Sequence, residues 1–256
     1  MCYVGCMDAL TALRLQLEWG ADEALDEAPI DRTQARPPSP SRPRPAAAPI
    51  RPAQPAPMTL ARQVAEAAPT VEALRLALAG FTACPLGATA TNLVFSDGNP
   101  EAGLVLVGEA PGAEEDLTGK PFVGASGRFL DRMLASVGLD RTQLLITNLI
   151  PWRPPGNRPP TDSEVLMCLP FLQRHLALLQ PRIVVSLGAL STHALTGQTT
   201  GIRKLRGRWS NMTVETGKAP IKILPMLHPA YLLRTPAAKR EAWADLIALR
   251  QALDTM

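Results

Sequence analysis

The sequence predicts an α/β fold: an open parallel sheet of four strands with helices packed on both faces, preceded by a Pro-rich N-terminal extension. Two observations predict it. Four short runs are apolar on both sides of the pleat, as strands covered on both faces must be: Gly103 to Gly108 (GLVLVG), Leu144 to Ile150 (LLITNLI), Arg182 to Gly188 (RIVVSLG) and Ile221 to Leu227 (IKILPML). Helical stretches alternate with them, from Ala125 to Val137, from Thr161 to Leu179 and, after the last run, from Ala237 to Ala252. This alternation gives right-handed crossovers, and a ligand of such a sheet sits beyond the carboxyl ends of its strands.

Taken in order, the chain opens with Leu10, Leu13, Leu17 and Ala21 at helical spacing between Met7 and about Glu27, so residues 1–28 are expected to form a short amphipathic helix that Pro29 closes. Residues 29–58, including ARPPSPSRPRPAAAPIRPAQPAPM, are rich in proline and poor in large apolar side chains, which makes them a linker without a core. The folded body is assigned to residues 59–256, beginning with a helix that carries Val64, Val71, Leu74 and Leu78 toward Gly80. Thr161 and Ser163 are candidate N-caps of the middle helix.

With 46% apolar residues in 256, the chain can bury a core. The net charge of +3 is unevenly placed: residues 1–58 hold 6 basic and 7 acidic side chains, the rest 20 and 16. That excess permits a polyanionic partner without requiring one. Four cysteines, at positions 2, 6, 84 and 168, make no dense disulfide framework. The opening MCYVGCMDAL has no basic leader, and no stretch is apolar enough to span a membrane, so a cytoplasmic, membrane-free protein is expected.

The segments beyond the strand ends carry the chemistry. The first strand leads into GEAPGAEEDLTGKPFVG, residues 108–124, in which Gly108, Pro111 and Gly112 shape a tight turn and Glu109, Glu114, Glu115 and Asp116 set carboxylates beside it. This is either an acidic solvent loop opening a helix or one wall of a site; without a Walker lysine it is no phosphate cradle. The second strand reaches Asn148 and runs into PWRPPGNRPPT, residues 151–161. An amide there either caps a turn or reads the edge of a nucleobase, since it offers both a donor and an acceptor. Arg153 and Arg158 suit phosphate contacts or a solvated loop. The fourth strand ends in LHPAYLLR, residues 227–234, where His228 is structural or catalytic, and Leu232 and Leu233 are core residues or a wedge for a base stack, with Arg234 as a phosphate clamp. His175 and His193 fall within helical stretches and are given no role.

Together these segments, in this order and with ACPL at 83–86 and VSLGALS after the third strand, resemble the family 4 uracil-DNA glycosylases from about Gly80 to Arg250. The resemblance implies a three-layer α/β/α fold around a central four-stranded parallel sheet, and a monofunctional enzyme that flips deoxyuridine out of single- or double-stranded DNA and hydrolyses its N-glycosidic bond, the opening step of base excision repair. It implies that Phe122 stacks on the base, that Asn148 pairs with its polar edge and that Gly108, Ala110 and Gly112 complete the substrate pocket together with Asp116, although Asp116 and Glu115 either join the site or only tie the loop or cap the following helix. Glu109 then orients the attacking water and His228 stabilises the departing base. Arg153, Arg158, Arg206 within RKLRGR, Leu232 as wedge and Arg234 are the expected DNA contacts. A binding protein that kept the fold without the chemistry is the alternative class.

Two departures from the family pattern matter. Its cluster-bearing members place four cysteines around an iron-sulfur centre, whereas Phe81 and Trp152 stand at two of those places here and only Cys84 and Cys168 remain. Two thiolates do not complete a four-ligand cluster or zinc site, and Cys2 and Cys6 would substitute only by closing a long loop back across the linker, which is unfavourable. No metal or cofactor is therefore expected, with Phe81 and Trp152 filling the space. The loop 151–161 also lacks the histidine of relatives that become trapped on DNA, so turnover is expected to be hydrolytic. A monomer is expected, with the N-terminal helix either docking on a protein partner or dispensable.

Overall fold

The computed structural model describes residues 9–19, 57–214 and 219–255. Residues 1–53 form one unit, in which the helix α1 (Ala9–Glu18) is described and Leu10 and Trp19 are exposed. The remainder of the predicted helix, and the Pro-rich segment up to residue 56, lie outside the described residues.

The second unit, residues 54–256, contains α2 (Pro57–Glu66), α3 (Val71–Ala79), α4 (Leu86–Thr89), β1 (Ser96–Gly98), β2 (Leu104–Gly108), α5 (Ala113–Thr118), α6 (Ala125–Ala135), β3 (Leu145–Asn148), α7 (Asp162–Leu179), β4 (Ile183–Leu187), α8 (Ala189–Thr196), α9 (Ile202–Leu205), β5 (Ser210–Met212), β6 (Ile221–Met226), α10 (Pro229–Arg234) and α11 (Lys239–Asp254). The sheet order is β1-β3-β2-β4-β6-β5. Its inner four strands are the four apolar runs, all parallel, while β1 and β5 join antiparallel at the two edges. The edges escape a search for apolar runs because Ser-Asp-Gly and Ser-Asn-Met are three residues long and largely polar.

Side chains alternate between two cores, as a strand buried on both faces requires. Val105, Val107, Leu145, Val184 and Ile223 enter one cluster with residues of α2, α3 and α7; Leu104, Leu106, Ile146, Val185 and Leu224 enter the other with residues of α6 and α11. This is the three-layer arrangement expected. Pro225 sits within β6, opposite Ser186 of β4, and its carbonyl accepts from Gly207 just before β5 begins, so the missing proline N–H falls where no edge-strand ladder remains.

Besides the short α4 and α9, which no sequence pattern marked, the helices depart from expectation in two ways. The single helix read through Val64 and Val71 is two: Pro69 interrupts it, and the Thr70 hydroxyl accepts from Ala73 N (3.1 Å) to start α3 afresh. Before the final helix, the HPAYLLR segment forms the separate α10, with Pro229 at its first position. Thr161 caps α7 in a capping box with Glu164, and Ser163 lies inside the first turn. Among the described residues no helix is long and apolar enough to cross a membrane.

Candidate active site

Gly108, the last residue of β2, lies in register with Asn148, the last of β3. The pairing continues past both ends, with Leu149 N donating to Gly108 O (3.0 Å) and Ile150 N to Glu109 O (2.9 Å), so the turn after β2 is stitched to the loop after β3. A Cβ at 108 would run into the Asn148 side-chain oxygen and stand 2.6 Å from the Phe122 ring; only glycine allows these two side chains to meet there. Asn148 is 5% exposed, and neither its amide nitrogen nor its amide oxygen has a protein partner. Leaving both ends of a buried amide unsatisfied costs about 1–3 kcal/mol each, which a site recovers only when a ligand supplies an acceptor and a donor side by side.

The turn between Glu109 and Gly124 is held by its acids. The Glu115 carboxylate accepts from Gly112 N (3.1 Å) and Gly124 N (2.7 Å), closing the two ends of the loop around the start of α5. Asp116, expected in the substrate pocket, is placed elsewhere: one carboxylate oxygen accepts from Thr91 N (2.8 Å) and Asn92 N (3.2 Å), tying α5 to the 90–92 loop. Its two backbone partners lie well upstream, and they hold the carboxylate away from the cleft. Glu109 has no such tie, and burial raises its pKa above the ordinary carboxylate value.

His228 follows β6. The amide of Ala230 donates to its Nδ1 (3.1 Å), which leaves the ring proton on Nε2. Burial, helped by the Arg234 charge, lowers its pKa to about 4, so the ring is neutral near pH 7 while keeping one fixed donor. Its ring lies 5.7 Å from that of Phe122, centroid to centroid, at 32°. Glu109, Phe122, Asn148 and His228 thus line one cleft of about 490 Å³, with Arg158 and Arg234 also on its walls. Gly108 shapes the cleft from below, while Ala110 and Gly112 line it directly. Carboxylate, amide and imidazole come from well-separated parts of the chain and converge at the carboxyl ends of β2, β3 and β6.

Residues 95–247 match the family model of the uracil DNA glycosylase superfamily. The chain belongs to that superfamily. Its curated relatives include type-4 uracil-DNA glycosylases of Archaeoglobus fulgidus, 40% identical over 63% of this chain and 82% of that protein, and of Thermotoga maritima, 41% identical over 60% and 78%. A third, from Saccharolobus solfataricus, is 36% identical over 67% of this chain and 81% of its own length.

Around this glycosylase cleft the expected DNA contacts divide. Arg234 is exposed on the wall; Arg153 donates to Asn157 Oδ1 (2.7 Å) within its own loop. Arg158 grips the buried Glu164 through two hydrogen bonds (2.9 and 2.6 Å), which holds that carboxyl at about 2, yet its own side chain remains 41% exposed. Arg206, expected on DNA, is engaged within the fold instead: it pairs with Asp245 (2.9 Å from Nε) and donates to the Glu241 carbonyl, anchoring the loop after α9 to α11. Leu232 is fully buried against Leu227, Ala238 and Ala242, so it fills core and cannot wedge a stack; its neighbour Leu233 is 40% exposed. On a helix consecutive residues point about 100° apart, so one place in sequence separates core from surface. Sequence reasoning assigns no role to Ser126, Asn157 or Tyr231, which also line the cleft; Asn157 and Tyr231 lie inside the PWRPPGNRPPT and HPAYLLR motifs, which is the signal that could have found them.

Among the described residues two cysteines, Cys84 and Cys168, are present, too few for a four-thiolate cluster, while Cys2 and Cys6 lie outside the described residues. Cys84 and Cys168 are both free and buried, and the hydrogen bond to Cys84 together with burial pushes the Cys168 thiol up. Phe81 and Trp152 are 6% and 4% exposed in the same core; Phe81 packs edge-on to Phe171 at 5.0 Å and the Trp152 indole lies against Gly87. Phe81 and Trp152 thus pack as apolar core around the two thiols.

Proposed function

We propose that the cleft receives a deoxyuridine rotated out of DNA and hydrolyses its N-glycosidic bond. The buried, unsatisfied Asn148 amide carries this reading. Uracil offers an acceptor at O4 beside a donor at N3, which satisfies both ends of the amide at once; cytosine reverses the first and lacks the second. Phe122 supplies a face for the same ring. His228, with its proton fixed on Nε2, donates to the uracil O2 as negative charge gathers on the base. Glu109 orients a water toward the sugar carbon and accepts its proton, while the electron pair of the breaking bond leaves with the uracil ring. Arg153, Arg158 and Arg234 are assigned to phosphates, and Leu233 to the space the base leaves.

Glu109→Gln is expected to slow single-turnover excision from a U:G duplex by about 100-fold, the lower part of the range for a general base, because the amide still orients water. Full activity would remove Glu109 from the reaction. The pH profile gives a second check. Activity needs Glu109 ionised and His228 neutral, so it falls on the acid side, first through the raised Glu109 pKa and then through that of His228 at about 4. Glu109→Gln should move the acid limb down toward the histidine value.

The two leucines separate fold from function. Leu233→Ala is expected to slow excision from duplex U:A more than from single strands while leaving the melting temperature unchanged, whereas Leu232→Ala should lower stability by about 2–5 kcal/mol. Equal losses on both substrates for Leu233→Ala would leave the wedge unassigned.

We also propose that this chain works without an iron-sulfur cluster, its place taken by Phe81 and Trp152. Purified protein should be colourless and active, with iron well below stoichiometric amounts; a broad visible absorbance near about 400 nm that tracks activity would reverse the assignment.

A further inference from the structure

Phe122 is one of three described non-glycine residues with positive φ (+54°), and it is 4% exposed. An aromatic residue does not rest there unaided; the surroundings must hold it. Two features do so. In α6, Gly127 lies so close beneath that a Cβ would collide with the Phe122 carbonyl. Above it, the guanidinium of Arg141 donates to the carbonyls of Pro121 (3.1 Å) and Phe122. The guanidinium is itself fixed by Asp97 of β1 (2.8 Å) and by Asp131 of α6 (3.0 and 3.2 Å). A planar fork with five N–H donors meets four such partners at once; an ammonium, with three, does not.

We propose that Arg141 is a positioning residue for base recognition. It locks the backbone of Phe122 in the left-handed region, and so fixes the angle at which the ring faces the base between Gly108 and His228. Arg141 itself does not line the cleft and acts only through Phe122. The inference rests on the reading that Phe122 stacks on the extruded base. It adds that the stack is set from the far side of the loop, by a residue bound to an edge strand and a helix.

A double-mutant cycle tests it, with Arg141→Lys, Phe122→Ala and the pair. Two quantities are read for each: single-turnover excision from a U:G duplex, and affinity for the same duplex carrying a stable abasic analogue, which has no base to stack. Arg141→Lys keeps the charge between Asp97 and Asp131 and so keeps the fold. It should slow excision roughly tenfold, as expected for spoiling one base–aromatic contact, without changing abasic affinity. Added to Phe122→Ala it should slow excision by less than about twofold more, since the group it positions is gone. A tenfold effect that persists in the Phe122→Ala background, a parallel loss of abasic affinity, or full activity of Arg141→Lys each overturns the proposal. If Phe122→Ala alone excises at the full rate, stacking by Phe122 fails first, and that single variant shows it independently of Arg141.

Discussion

Replacing His228 by alanine is expected to lower single-turnover excision of uracil by a factor of about 10² to 10³, the usual loss when one preorganised donor to a developing anion is removed. The effect should fall on the chemical step and leave DNA affinity almost unchanged, because the donor meets full charge only as the bond breaks. The ring is prepared for this role before substrate arrives. Its Nδ1 is occupied by the Ala230 amide, its proton is on Nε2, and burial keeps it neutral down to a pH of about 4. A charged imidazole would bind the ground-state carbonyl as well, and would bring its own desolvation penalty into the cleft. His228→Gln, which restores a donor on a flexible stem, should recover only part of the rate. A His228→Ala enzyme with the wild-type single-turnover rate would mean that the base departs without help from this side chain.

Asn148→Asp is the second large effect. Excision of uracil should fall by as much as about 10⁴, because a buried acceptor would face the O4 lone pairs of uracil with no donor to offer. The same change makes the exocyclic amine of cytosine a better partner than before. Parallel assays on uracil- and cytosine-containing oligonucleotides, each treated with alkali to cut abasic sites, read both halves of the shift. Unchanged preference would show that the orphaned amide is not what reads the base. The close fit among Gly108, Phe122 and Asn148 also predicts that the substitution acts locally, since the carboxylate has nearly the volume of the amide it replaces.

The inner sheet was legible because a strand covered on both faces must be apolar at every position, and four such runs stood out. The edge strands were not, since three residues, most of them not apolar, carry no periodic signal, and α10 was hidden in what looked like a motif loop. Glu109, Asn148 and His228 could be found because each stands at the end of a legible strand. The misplaced residues share another cause. Arg206 and Asp116 look available in sequence, but their partners Asp245 and the Thr91 and Asn92 amides are tens of residues away, and only folding shows that they are taken. Arg141 had no signal at all, for the same reason: its partners come from a strand, a helix and a loop.

The two short rims of the sheet have a consequence of their own. An incoming chain that tried to add to either side would find only three residues to pair with. At the β1 rim, the side chain of Asp97 is already engaged by Lys120 and Arg141. Such terminations suppress edge-to-edge aggregation, so concentrated solutions of the folded body should resist fibril growth even though its central strands are almost wholly aliphatic.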